Sequence, residues 1–190
     1  MNQNKIQRIL IAISGASGAI YAYQLIKTLK EQTTHNITVV ASPNGYRIFK
    51  EELNQNISDL NVSVISHKDY DTGCVSGSSA FDQMVVVPAS MGTIARIAHG
   101  ISSDTLTRAA DVMIKEKRNL IVVPRETPFS LIHLENLKIL AQNGAIVIPA
   151  IPSFYSNPKS IEDLVNTVNA RILDHMHIPN NLTKRWMDND

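Results

Sequence analysis

Several loops in this chain carry hydroxyls, glycines and charges at spacings suited to holding a phosphate. Ser14-Gly15-Ala16-Ser17-Gly18-Ala19 follows the apolar run ILIAI. Its glycines let a ligand approach the backbone, and a helix starting there would offer unpaired N–H groups to an anion. It is not G-x-G-x-x-G and no G-K-[ST] follows, so neither a dinucleotide fingerprint nor a P-loop is supported. A plain strand-to-helix junction is the alternative. Pro88-Ala89-Ser90-Met91-Gly92-Thr93 ends a second apolar run, with Ser90 and Thr93 placed as a cap and a first-turn hydroxyl. Ser76-Gly77-Ser78-Ser79 precedes that run, and Ser42 closes another. Each serine has an ordinary reading as a helix cap or polar turn. Several such loops at one sheet edge point instead to a shared anion pocket.

Charged residues supply the rest. Arg125 and Glu126 stand side by side in PRETP, where adjacent extended residues point opposite ways. Such a pair suits phosphate binding joined to acid chemistry; a surface ion pair of little worth is the alternative. Arg108 and Lys115 lie seven apart on an expected helix, about 10 Å along its axis, with Asp111 between them. A solvated charge stripe explains that spacing equally well. No HExxH, CxxC or clustered histidine suggests zinc, and no DDxxD segment suggests magnesium. A departing phosphate would therefore be neutralised by Arg, Lys and hydroxyls. Cys74 has no evident base partner and is not read as a nucleophile.

These loops need a scaffold. The 190 residues are 44% hydrophobic and 18% charged, which suits one compact domain with a full core. The net charge of +1 gives no broad pull on nucleic acid or membrane. The opening residues hold too short an apolar run for a signal peptide, and a single cysteine fits a reducing cytoplasm. Five near-continuous apolar runs recur: ILIAI, ITVVA, MVVVP, LIVVP and AIVIP. Runs of that kind are strands covered on both faces. Helix-period segments separate them. Ala19, Ala22, Ile26 and Leu29 form one stripe. Ser130 and Ser160 open two further helices. The pattern predicts an α/β fold: an open, three-layer, doubly wound, mostly parallel sheet of Rossmann-like type. One domain is expected over 1–190, with an extension from about 179. NVSVISH reads as a further strand. Ligands in such folds sit beyond the carboxyl ends of the strands, where these loops lie.

The blocks SGASGA, VSGSSA, MVVVPASMGTIARIAHGISSDTLTRAADVMIKEKR, LIVVPRETPFSLIHLENL, PAIPSFYSNPKSIEDLV and KRW together resemble the flavin prenyltransferases, the UbiX family. The resemblance runs from about Ile9 to Trp186. It implies an FMN-binding enzyme that joins the dimethylallyl group of dimethylallyl monophosphate to N5 and then C6 of reduced FMN. The prenylated FMN would serve a UbiD-type decarboxylase. It further implies metal independence and a homo-oligomer, a dodecamer with sites at subunit junctions.

Residue by residue, the resemblance assigns Gly15, Ala16, Ser17, Ser42, Ser90, Met91, Gly92, Thr93 and Arg125 to the flavin. Arg108, Lys115, Tyr155, Arg171 and Trp186 match prenyl-phosphate contacts. Ser17, Glu52 and Glu126 match catalytic positions, with Arg108 and Tyr155 assisting. Glu51 competes with Glu52 for its role. Glu126 would give a proton to the departing oxygen, a role that asks for burial. Tyr70 stands where some members carry tryptophan. Two other readings are an FMN-dependent cysteine decarboxylase, which shares the P-A-S-x-x-T loop, and a flavin carrier without chemistry. A third, direct decarboxylation of an aromatic acid, predicts carbon dioxide release without a partner protein.

Overall fold

Every strand of the sheet is parallel to its neighbours. The computed structural model describes residues 6–78 and 81–187; Ser79, in the third hydroxyl-rich loop, lies outside them. The strands are β1 (Arg8–Ile13), β2 (Asn36–Ala41), β3 (Ser63–Ile65), β4 (Gln83–Ala89), β5 (Asn119–Pro124) and β6 (Ile146–Val147). The α-helices are α1 (Ala19–Gln32), α2 (Pro43–Leu53), α3 (Met91–Ala98), α4 (Thr105–Lys115), α5 (Leu131–Gln142) and α6 (Ile161–His175). The sheet order is β3-β2-β1-β4-β5-β6. NVSVISH supplies the short edge strand β3, while AIVIP pairs only through Ile146 and Val147.

The apolar runs are continuous because each strand feeds two cores. Successive side chains point to opposite faces. On β1, Ile9, Ile11 and Ile13 join Leu25, Ile26 and Leu29 of α1, Phe49 of α2 and Ile172 of α6. On the same strand, Leu10 and Ala12 face the other way. They join Met84, Val86, Ile94, Leu106 and Met113 beneath α3 and α4. Burying each large side chain of this kind contributes about 1.5–3 kcal/mol. Serines open four helices as the sequence suggests: Ser42, Ser90, Ser130 and Ser160 each accept a hydrogen bond from an amide of the first turn.

The order matters for function. Chain connections run outward from β1 to β2 and β3, then return to β4 and run outward the other way. The crevice between β1 and β4 is thus a topological switch point, where ligands of doubly wound sheets bind. No helix among the described residues is long and apolar enough to cross a membrane.

Candidate active site

A cavity of about 480 Å³ opens at that switch point. Gly15, Ser42, Ser90, Gly92 and Thr93 line it, together with Asn44, His67, Lys68, Tyr70 and Arg96. Its framework depends on Ser14, which is buried. The Ser14 hydroxyl donates to Pro88 O at 2.9 Å and accepts from the Ser90 amide at 2.7 Å. One side chain therefore ties the end of β1 to the end of β4. The Ser90 hydroxyl accepts from the Thr93 amide at 3.4 Å and donates to Thr93 Oγ1 at 3.1 Å. Ser42 and Ser90 are thus caps and cavity walls at once.

The glycines of the first loop answer to geometry. Gly18 has φ of 106°, a left-handed conformation that L side chains rarely adopt. A Cβ on Gly15 would lie 2.6 Å from Asn44 Cβ, so a side chain there would push the loop off α2.

The expectation that α1 offers its first amides to a bound anion is corrected by Glu52. Its carboxylate accepts from the Gly18 amide at 2.9 Å and from the Ala19 amide at 2.8 Å. The positive end of α1 already has an anion, supplied by the last turn of α2. The helix starts at the cavity are those of α2, α3 and α4, at Ser42, Ser90 and Asp104. Glu51 instead pairs with Arg47 at 3.0 Å on the exposed side of α2. Of the two adjacent glutamates, only Glu52 reaches the loop.

A second cavity, of about 360 Å³, lies beyond β5 and β6. Arg125, Glu126, Phe129, Pro149 and Ile151 are in its wall. Arg125 ties its wall to the loop after β1 and to the end of β4. Its amide donates to Ala89 O at 3.2 Å, and its Nε donates to Ser17 O at 3.1 Å. Glu126 accepts from the Thr127 amide at 3.0 Å and is exposed. Burial of that carboxyl, expected for an acid, is not provided by one chain.

The residues matched to the prenyl phosphate fall into two groups. Tyr155 and Trp186 meet edge to face, with ring centroids 5.5 Å apart. Arg171 donates to Asp174 at 2.8 Å on α6. Arg108 and Lys115 lie on α4, on the opposite face of the sheet from α6, and none of the five lines either cavity. Arg108 donates to Val75 O at 3.2 Å and to Asp111 at 2.7 Å, while Lys115 pairs with Glu116. Helix α4 starts beside the first cavity, at Asp104, and runs away from it, so Lys115 ends the helix near the start of β5. The charge-stripe reading of Arg108 and Asp111 holds within one chain. Cys74 is buried, and burial pushes its thiol above the ordinary value, which does not suit a nucleophile.

The chain matches the Flavoprotein family over residues 1–173. It is 43% identical to the flavin prenyltransferase UbiX of Methanocaldococcus jannaschii, across 94% of this chain and 98% of that protein. It belongs to the flavin prenyltransferase family. A crystal structure of AnUbiX (PadA1) in complex with FMN and dimethylallyl pyrophosphate superposes with a TM-score of 0.93 at 35% identity, covering 98% of this chain and 100% of that one. A dodecameric FMN-dependent UbiX-like decarboxylase from Escherichia coli O157:H7 gives 0.92 at 34% identity, over 95% and 100% of the two chains.

Two residues of this flavin prenyltransferase fold escape the sequence reading. Ser14 opens the quoted hexapeptide, yet nothing local shows that its hydroxyl crosses to β4. Arg96 lies in the second turn of α3, with its Nη2 donating to Thr93 Oγ1 at 3.2 Å. Its Nε is buried with no hydrogen-bond partner among the described residues. A signal for Arg96 did exist: it follows Thr93 by three positions, which puts both on one helical face.

Proposed function

We propose that the protein transfers the dimethylallyl group of dimethylallyl monophosphate to reduced FMN, forming bonds at N5 and C6. The observation that carries this reading is the pair of cavities, with Arg125 in the wall of the second bonded to the loop after β1 and to the end of β4. One has phosphate-type donors in its wall, and the other is mostly apolar with one carboxylate. Gly15, Ala16, Ser17, Ser42, Ser90, Met91, Gly92, Thr93 and Arg125 hold the flavin. Arg96 supplies the cation for its phosphate, since a half-buried guanidinium beside the Ser90 and Thr93 hydroxyls suits a phosphate dianion.

The allylic C–O bond breaks as phosphate departs, and Glu126 gives the leaving oxygen a proton. The electron-rich flavin takes the allyl carbon at N5, and closure at C6 completes a ring. The N5 proton is lost as that bond forms; a proton then adds to the alkene of the attached prenyl group, C6 closes on the resulting tertiary carbon and gives up its own proton, with Ser17 and Glu52 near the first loop to carry these protons. Arg171, Tyr155 and Trp186 receive the phosphate. Arg108 and Lys115 join them from a neighbouring copy, because within one chain α4 and α6 pack on opposite faces of the sheet. Exclusion of water around the allyl fragment, and burial of Glu126, come with that assembly. Exposed Leu131, Ile132 and Phe154 support a homo-oligomer, a dodecamer by likeness. The product serves a UbiD-type decarboxylase, in the cytoplasm, where the free Cys74 thiol stays reduced.

The test is an anaerobic mixture of protein, reduced FMN and dimethylallyl monophosphate, with and without a chelator. A flavin heavier by one isoprenoid unit in both arms is expected. Unchanged flavin mass overturns the transfer, and loss of product with chelator overturns the metal-free mechanism. Carbon dioxide release from a cysteinyl peptide would favour the decarboxylase reading instead.

A further inference from the structure

Asp174 gathers more polar partners than any chemical step asks of it. It lies on the last turn of α6, three residues after Arg171 and so on the same face. Beyond α6 the chain turns at His177, where φ is 57°, and folds back along the helix. Asn180 Nδ2 donates to Asp174 Oδ1 at 3.2 Å. Leu182 packs, partly buried, against the core that α1 and α6 share. Arg185 then returns to the same carboxylate through two bonds, Nη1 to Oδ2 at 2.6 Å and Nη2 to Oδ1 at 2.7 Å. Fork-to-carboxylate pairing of this kind fixes direction as well as distance. The residue after Arg185 is Trp186, whose ring meets Tyr155. Arg171 shares Oδ2 with Arg185, at 2.8 Å.

We infer that Asp174 is a positioning residue for the allyl-phosphate end of the site, holding Arg171 directly and setting Trp186 against Tyr155 through Arg185. The inference rests on the prenyltransferase reading for its ligand. The docking of the segment after α6 stands on geometry alone. The loop before α6 is tied down too: the Ser153 amide donates to Thr167 Oγ1 at 3.1 Å. That bond anchors the Tyr155 side of the contact to α6 as Asp174 anchors the Trp186 side.

The chain has a single tryptophan, so its fluorescence anisotropy reports on this segment without labelling. Asp174→Asn and Arg185→Met are expected to lower the anisotropy of Trp186. Both are expected to raise KM for dimethylallyl monophosphate about tenfold, with kcat within about threefold and FMN affinity within about twofold of wild type. Arg185→Lys keeps the charge but not the fork, and recovers part of both effects. Arg185 lies outside the sheet, so Arg185→Met reports even where Asp174→Asn folds poorly. Unchanged anisotropy in both variants overturns the docking. Lowered anisotropy with unchanged donor KM overturns the link to the site. If the wild-type protein makes no prenylated flavin, the functional reading falls, and the anisotropy still decides the docking.

Discussion

The two ends of the proposed site are built by different means. The cavity between β1 and β4 is walled by backbone, helix caps and a buried serine that bridges two strands. The end near α6 is made of long side chains held by ion pairs, with Tyr155 and Trp186 both exposed to solvent. The first arrangement is fixed by the sheet and costs little to keep in order. The second loses side-chain entropy whenever it is ordered. A fixed seat suits a rigid ring system with a phosphate handle. An adjustable end suits a donor that must arrive, react and leave as two fragments.

The comparison can be broken most sharply at the boundary. Glu126→Gln keeps shape but removes the exchangeable proton, and is expected to slow single turnover about a hundredfold or more while FMN affinity stays within about twofold. Stopped-flow absorbance of the reduced flavin measures it, and a wild-type rate would end the acid role. Next in size is Arg96→Met. Loss of a charged hydrogen bond to phosphate is worth about 1.5–3 kcal/mol, so FMN should bind roughly 10- to 100-fold more weakly. Riboflavin, which has no phosphate, should bind as before. Equal losses for both flavins would place Arg96 in packing rather than in phosphate recognition.

A smaller effect belongs to Ser14→Ala. It leaves the Ser90 amide without its acceptor in a partly buried setting, at a cost of about 1–3 kcal/mol in urea unfolding. A change under a few tenths would show that water replaces the hydroxyl and that the two strand ends are not joined as described. The adjustable end should show the least. Arg185 beside Asp174 holds its carboxyl below the ordinary carboxylate value. The lowered value means that this pairing contributes fully above about pH 3.9, the ordinary aspartate value, and is lost as pH falls through the folded one. Its contribution is under about 1 kcal/mol, the range for partly exposed pairs. Anisotropy of Trp186 should hold down to that pH and fall below it. A loosening already complete at about pH 5, well above the ordinary aspartate value, would assign the docking to other groups.

Much of the scaffold was legible because it is periodic. The five apolar runs became strands, the stripe on α1 became buried, and the serines before α2, α3, α5 and α6 became caps. These features depend on residues a few positions apart. What escaped depends on pairs far apart in sequence. Glu52 reaches Gly18 across 34 positions, and the Ser14 hydroxyl reaches Pro88 across 74. No spacing rule announces such bonds. The resemblance chose Glu52 over its neighbour only weakly, and the fold separates them by direction: one points to α1, the other to Arg47. Arg108 and Lys115 show the opposite limit. Their helix was read well, but their role depends on which molecule lies next to it.

The carboxylate of Glu52 also has a mechanical side. It closes α1 with a group borrowed from the end of α2, so the two helices share a latch. A proton that reaches Glu52 weakens both of its backbone bonds together. In the proposed reaction, proton transfer at this carboxylate and the seating of the first helix are, in that sense, a single event.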